Sequence, residues 1–241
     1  MSLLPDSSFS SVLEVLTGKK WAFFQSPGNV GDCMITEGMW QLFARNNISA
    51  VEYEEHIPDW ADGLLLSGGG NFGKIWDHSI FRLPHLMQAW RRGLPVVMLP
   101  QSICNPTELL PENAVVFARE MVSQGHFPRS ILAPDLSLAL DVDLNLGKPI
   151  YGRGIFLRKD HESVLSGSLG VDPITVTDDW KEYIILASEY SEVITDRLHF
   201  AIASIIAGRK TVLMDNSYHK NRSMWETWLR DLGCQFLGRT K

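Results

Sequence analysis

The 241-residue sequence predicts an α/β fold with mostly parallel strands, built as two βα lobes whose sheets face a cleft. Three observations carry this. Apolar runs of four to six residues alternate with longer stretches of helical spacing, the pattern of parallel strands joined by crossover helices. The alternation breaks over 141–149, DVDLNLGKP, and then resumes, which predicts lobes over 1–142 and 149–241. Almost all the Gly-, Asn- and Asp-rich punctuation falls after strands and before helices. In an open parallel sheet that edge is where ligands bind. Two such edges face to face make a cleft, the usual seat of a small molecule.

The elements follow in order. Trp21–Phe24 is strand-like and runs into SPGNVGD (26–32). Met34 to Arg45 has helical spacing, with Ile35, Met39, Leu42 and Phe43 on one side. Ala50–Tyr53 is strand-like, and Gly63–Leu66 reads as a buried strand ending in the loop SGGGNFG (67–73). Phe81 to Arg92 predicts a helix, and Leu94–Leu99 a strand ending at Pro100-Gln101-Ser102. Ala114–Phe117 and Ile131–Ala133 are further short strands. In the second lobe the expected strands are Gly154–Leu157, Ile174–Val176, Val193–Thr195, Thr211–Met214 and Gln235–Leu237. Helices are expected over Trp180–Tyr190, from Arg197 onward, and over Ser223–Leu232.

Composition narrows the function classes. Apolar residues at 45% and charged residues at 21% are ordinary for a globular chain that buries a core. Net charge is −6 and the cations are scattered, so the footprint of a nucleic-acid binder is missing. The three cysteines lie far apart, without metal-ligand spacing, which fits a reducing cytosol and predicts no metal site. The N-terminus lacks the basic and apolar regions of a signal peptide, and no run approaches eighteen apolar residues. Eight tryptophans are many; most belong to packing, while Trp76 and Trp180 stand beside turn-rich segments as candidate sugar platforms.

Six stretches carry candidate chemistry. In SPGNVGD, Gly28 and Gly31 allow close approach of a ligand or a positive φ, Asn29 donates and accepts, and the helix start favours anions. Asp32 reads equally as a cap and as an acceptor or base for hydroxyls, because a carboxylate there suits the dipole but repels phosphate. In SGGGNFG, Gly69, Gly70 and Asn71 suit a backbone pressed against a ligand or another loop. Gln101 and Ser102 put polar groups at a strand end. Arg158 ends the first strand of the second lobe, in FLRKD. TDRLHF (195–200) sets Arg197 and His199 at a helix start, where the dipole disfavours a cation. Arg197 is therefore expected to partner a bound anion or Asp196, and His199 to donate to an anion or act as a general acid. DNSYHKNRS (215–223) adds Asn216, Ser217 and Lys220. The second lobe thus gathers cations for a compact polyanion, and the first offers groups for a polyol. Group transfer to a sugar fits both.

In order, GNVGD (28–32), GGGNFG (68–73), PQS (100–102), PD (134–135), RKD (158–160), TDRLH (195–199) and DNSYHKNRS (215–223) resemble the polysaccharide pyruvyl transferases. The resemblance runs from about residue 21 to 237. It implies two Rossmann-like lobes of GT-B type, with the acceptor on the N-terminal lobe and the donor on the C-terminal one. It implies transfer of the enolpyruvyl carbons of phosphoenolpyruvate onto two sugar hydroxyls, giving a pyruvate ketal and phosphate, with no cofactor. Arg158, Arg197, Leu198 and His199 fall on the family's donor-binding positions, and Phe200 stands where a small residue is common, which would narrow the donor pocket.

On this basis His199 is expected to protonate C3, Arg197 and Arg158 to hold carboxylate and phosphate, and Asp32 to take a hydroxyl proton. The acceptor is a sugar or glycan, in some cases lipid-linked. The expected location is the cytoplasm, with peripheral contact at the inner membrane face. Two rivals make different demands. A nucleotide-sugar glycosyltransferase needs carboxylates for a ribose, for which Asp178 and Asp179 are available. An inactive carbohydrate-binding protein would bind sugar without releasing phosphate.

Overall fold

The computed structural model describes residues 2–73, 75–76, 78–106, 110–164 and 170–238. It is an α/β chain with two parallel sheets. By internal contacts it divides into one unit of Leu4–Pro27 and Ile35–Ala139, and another of Met1–Leu3, Gly28–Met34 and Leu140–Lys241.

The first unit holds α1 (Ser10–Leu16), β1 (Lys20–Phe24), most of α2 (Val30–Arg45), β2 (Ser49–Glu52), β3 (Gly63–Leu66) and β4 (Gly69–Gly73). It continues through α3 (Ser79–Arg91), β5 (Val96–Cys104), β6 (Val115–Ala118), α4 (Met121–His126) and β7 (Ile131–Leu132). Its strands run in the order β2-β1-β3-β5-β6-β7, with β4 also on β5, and every pairing is parallel. β3 is buried along its whole length, and β5 along all but its last residue, which explains their unbroken apolar runs. The order reverses about β1, so the carboxyl ends of β1 and β3 form a switch point. There the Ser26 N–H donates to Ser67 Oγ at 3.0 Å.

The second unit holds β8 (Tyr151–Phe156), α5 (Trp180–Ser188), β9 (Tyr190–Thr195), α6 (Leu198–Ile206), β10 (Lys210–Met214), α7 (Lys220–Met224) and β11 (Gln235–Leu237). Its parallel order is β11-β10-β9-β8. Asp179 caps α5 by accepting from the N–H groups of Lys181 and Glu182. α6 is the apolar centre, with Phe200, Ala201, Ile202 and Ala203 fully buried.

Several expectations need correction. SGGGNFG is no loop: it runs into β4, which meets β5 at Gly69↔Gln101 in the same register that β3 holds at Leu66↔Met98. The strand before PQS does not stop at Leu99; it runs to Cys104 through a register shift beside Pro100, which has no N–H to donate. Ile174–Val176 is not a strand. Asp172 caps a 3₁₀ turn over Pro173–Thr175, and the strand-like bridge falls earlier, between Val171 and Phe156. The last helix starts at Lys220 and passes into a π-helical turn over Trp225–Leu229. A short 3₁₀ segment with α1 escaped the sequence reading, although Phe9, Val12 and Leu16 have helical spacing and are buried. So did α4, whose N-cap is Glu120.

Gly38 lies within α2, where propensity alone favours alanine by roughly 1 kcal/mol. A Cβ at this position would run into the carbonyl of Leu136. Overpacking of this kind costs about 1–3 kcal/mol. Gly38→Ala should therefore lower the melting temperature; a rise would refute the close packing of α2 on this segment.

Candidate functional site

The site is built where β8 and β9 end. The Asp196 carboxylate accepts the Arg158 N–H at 2.8 Å, tying the end of β8 to the segment after β9. Arg197 holds extended backbone at the N-cap of α6, its N–H donating to Thr195 Oγ1 at 3.0 Å. Its guanidinium grips Asp172 with two bonds, Nε to Oδ1 at 2.9 Å and Nη2 to Oδ2 at 2.6 Å, and pairs with Asp160 at 2.9 Å. Arg158 forks onto Asp160 through Nε at 2.7 Å and Nη2 at 3.1 Å, and sends Nη1 to Glu162. Lys220 Nζ reaches the same Glu162 carboxylate at 2.6 Å, and Asn216 Nδ2 reaches it at 2.8 Å.

Arg158, Arg197 and Lys220 are thus brought together, as the sequence predicts, but each is paired with a carboxylate of the chain. The acid that meets Arg197 is not Asp196; it is Asp172, 25 residues earlier, with Asp160. Burial explains the arrangement. Arg158, Glu162, Asp172, Arg197 and Lys220 are all more than nine-tenths buried, and unpaired charge there would be very costly. Burial pushes the Asp160 carboxyl up, but the bonds from Arg158 and the charges of Arg158 and Arg197 outweigh it and hold the group below its ordinary range. For Asp196 burial wins and pushes the carboxyl up to about 6. Its Oδ2 has no hydrogen-bond partner among the described residues.

SPGNVGD starts α2 through a reciprocal cap. Asn29 Oδ1 accepts the Gly31 N–H at 2.9 Å, and Asp32 Oδ2 accepts the Asn29 N–H at 2.8 Å. This explains why α2 begins at Val30 and not at Met34. Asp32 thus caps α2 through its Oδ2. A Cβ on Gly28 would lie 2.5 Å from Asp32 Oδ2, and one on Gly31 would lie 2.6 Å from His199 Nδ1. Gly31 is a seat for the His199 ring, and neither glycine has positive φ.

Other expected residues find inward partners. Leu198 is buried, and Ser217 is exposed, with its N–H on the Glu162 carbonyl at 3.0 Å. Phe200 is fully buried, its ring 4.6 Å from that of Phe156 and 4.8 Å from that of Tyr183. In the first unit, Gly69, Gly70 and Asn71 lie in β4. Gln101 is fully buried; its Nε2 donates to the Ser67 carbonyl at 2.5 Å and its Oε1 accepts from the Asn71 N–H at 3.5 Å. Ser102 accepts from Arg119 Nε at 2.8 Å. Asp178 and Asp179 are exposed, and Asp179 is occupied as the α5 cap.

Sequence reasoning missed Glu162, Asp172 and Asn221 in this cluster, and buried Arg82 in the first unit. Glu162 stands four residues after Arg158 in RKDHE, a spacing that was readable. Asp172 offered no local signal. Asn221 donates to the carbonyls of Asp196 and Met214 at 2.7 and 2.9 Å, which a polar segment conceals. Arg82 falls in the stretch predicted as a helix, where nothing local marks it; it is buried and donates to Asn71 Oδ1 at 2.8 Å.

Comparison with known proteins bears on this geometry. A family model described as Polysaccharide pyruvyl transferase matches residues 29–218. The chain is 25% identical over 288 residues to a Bacillus subtilis (strain 168) protein named "Putative pyruvyl transferase EpsO", with 91% of this chain and 89% of that protein covered. A crystal structure of a functionally uncharacterised protein from Klebsiella pneumoniae subsp. pneumoniae NTUH-K2044 has a TM-score of 0.76 at 21% identity, covering 96% of both chains. That likeness concerns the fold.

Asp196 gives a test by pH. Its folded pKa lies above the ordinary value of 3.8, so its contribution to stability is fully present below that value and is lost as pH rises through about 6. Asp196→Asn keeps an acceptor for the Arg158 N–H and removes the titration. The variant should gain on the wild type by about 2–3 kcal/mol between about pH 4 and pH 7. Melting curves at both pH values measure this, and an unchanged difference would count against a buried, ionising Asp196.

Proposed function

Because the chain belongs to the polysaccharide pyruvyl transferase family, we propose that it transfers the enolpyruvyl carbons of phosphoenolpyruvate to two hydroxyls of one sugar in a glycan precursor. The product is a pyruvate ketal, and phosphate is released. The observation that supports this most is the pair of arginines at the ends of β8 and β9, with His199 in the first turn of α6. Two guanidinium groups side by side suit a small molecule that carries both carboxylate and phosphate.

In this reading His199 gives a proton to C3 while a sugar hydroxyl adds to C2. The methylene becomes a methyl group and a tetrahedral phosphate ester forms. The second hydroxyl then displaces phosphate and closes the ketal. Arg158 and Arg197 steady the carboxylate and the charge that gathers on the departing phosphate. Asp32, one residue beyond the glycine that seats His199, takes a hydroxyl proton. The donor belongs to the unit of Leu140–Lys241. The first unit supplies the acceptor side at the carboxyl edge of its sheet, near Ser26, Ser67 and Asn71. Donor supply places the enzyme in the cytoplasm, and a lipid-linked acceptor would bring it to the inner membrane face. Among the described residues no helix is long and apolar enough to cross a membrane.

Melting the protein with and without millimolar phosphoenolpyruvate tests the donor. At about 100 times its Kd a ligand adds roughly 2.7 kcal/mol. Arg197→Ala should lose that stabilisation, but it also leaves Asp172 unpaired and is expected to melt low. His199→Ala is the cleaner variant. It should still be stabilised by phosphoenolpyruvate, yet release phosphate to a sugar acceptor roughly 10²–10⁴-fold more slowly. Stabilisation by a nucleoside diphosphate and not by phosphoenolpyruvate would transfer the assignment to nucleotide-sugar chemistry.

A further inference from the structure

The carboxylates of the cluster are not equivalent. The side chains of Glu162 and Asp172 are 2% and 3% exposed, whereas that of Asp160 is 23% exposed. Glu162 is locked by Arg158, Lys220 and Asn216. Asp172 is locked by Arg197 and by the N–H groups of Lys159 and Ile174. Asp160 is held chiefly by the two arginines. Its Oδ1 accepts from Arg158 Nε at 2.7 Å and from the Glu162 N–H at 3.0 Å. Its Oδ2 accepts from Arg158 Nη2 at 3.1 Å and pairs with Arg197 Nη2 at 2.9 Å. One carboxylate is thus forked by one arginine and clasped by a second, at the edge of the cluster that water reaches.

We propose that Asp160 is an exchangeable carboxylate, holding the Arg158–Arg197 fork until the carboxylate of the substrate replaces it. The proposal rests on the donor reading above only for the identity of the incoming molecule. Three features support the exchange. The bonds Asp160 receives are those that two arginines would give any planar carboxylate. Charge is conserved: Arg158, Arg197 and Lys220 face Asp160, Glu162 and Asp172, so one monoanionic carboxylate can replace another without leaving a buried charge uncompensated. And Asp160, already partly in water, recovers hydration when it swings out, which the locked acids could not do.

The exchange has a measurable consequence. A seat filled by the chain's own carboxylate is open to a ligand only part of the time, and apparent affinity falls by that fraction. Asp160 therefore sets donor affinity from inside the site. It also favours a carboxylate at this seat over a phosphate dianion, which would bring one charge too many.

Calorimetric titration of wild type, Asp160→Asn and Asp160→Ala with phosphoenolpyruvate, pyruvate and inorganic phosphate tests this. Both variants should bind phosphoenolpyruvate and pyruvate more tightly than wild type, by about tenfold if the seat is open a tenth of the time. Inorganic phosphate should gain less. If wild type binds phosphoenolpyruvate and the variants bind it no better, the exchange is overturned while the donor reading stands. If no protein binds phosphoenolpyruvate but the variants take up pyruvate that wild type refuses, the donor reading falls and the exchange stands. Folded variants that bind neither acid overturn the exchange. Where a variant melts too low to titrate, pyruvate must raise its melting temperature more than that of wild type; an equal or smaller rise is likewise fatal to the idea.

Discussion

Buried charge must be paired, and the cluster at the ends of β8 and β9 is organised by that requirement. Arg158, Arg197 and Lys220 are nearly inaccessible to water, and so are Glu162 and Asp172. Removing one partner would leave an ion uncompensated, at a cost of roughly 3–5 kcal/mol. Each bond therefore constrains chain geometry. Asp172 brings the segment after Gly170 against Lys159 and Arg197. Glu162 gathers Arg158, Asn216 and Lys220. Asp196 ties β8 to the start of α6 through a backbone N–H. The loops after three strands are held by side-chain ions, where a smaller turn would use glycine or serine.

The first unit also buries charged and polar side chains, and bonds them internally. Arg119 is buried and pairs with fully buried Asp135 at 2.7 Å, and Asp135 also accepts from Ser137. Arg82 is buried and bonds the side chain and carbonyl of Asn71. Gln101 bridges Ser67 and Asn71. These polar groups stabilise a strand edge from within. Ser26 Oγ is buried there with no hydrogen-bond partner among the described residues. A buried hydroxyl at a switch point, where the strand order reverses, is the kind of group that meets a polar ligand.

The fold was legible wherever the signal was local. Parallel strands covered on both faces need unbroken apolar runs, and Leu64-Leu65-Leu66 and Val96-Val97-Met98-Leu99 supply them. The start of α2 was legible in part, because Asn29 and Asp32 stand at capping distance in sequence. The errors came where a neighbour overrides a local preference. Three glycines suggest a loop, but β5 offers hydrogen bonds in register and draws the following residues into β4. Ile174–Val176 is apolar enough for a strand, but Pro173 and the Asp172 cap turn the chain first.

By itself the sequence determined the parallel α/β class, the order of the motifs that mark the family, and the need for an anion beside Arg197. A cation at a helix N-terminus states that need in any context, because the dipole is a local property. Only the tertiary structure decided which anion answers it. Asp172 lies 25 residues from Arg197 and reaches it through space, and no spacing rule predicts such a pair. The structure also decided that Gly31 makes room for the His199 ring and that Phe200 fills the core. Burial and through-space charge fix these roles, and both arise only when distant segments pack.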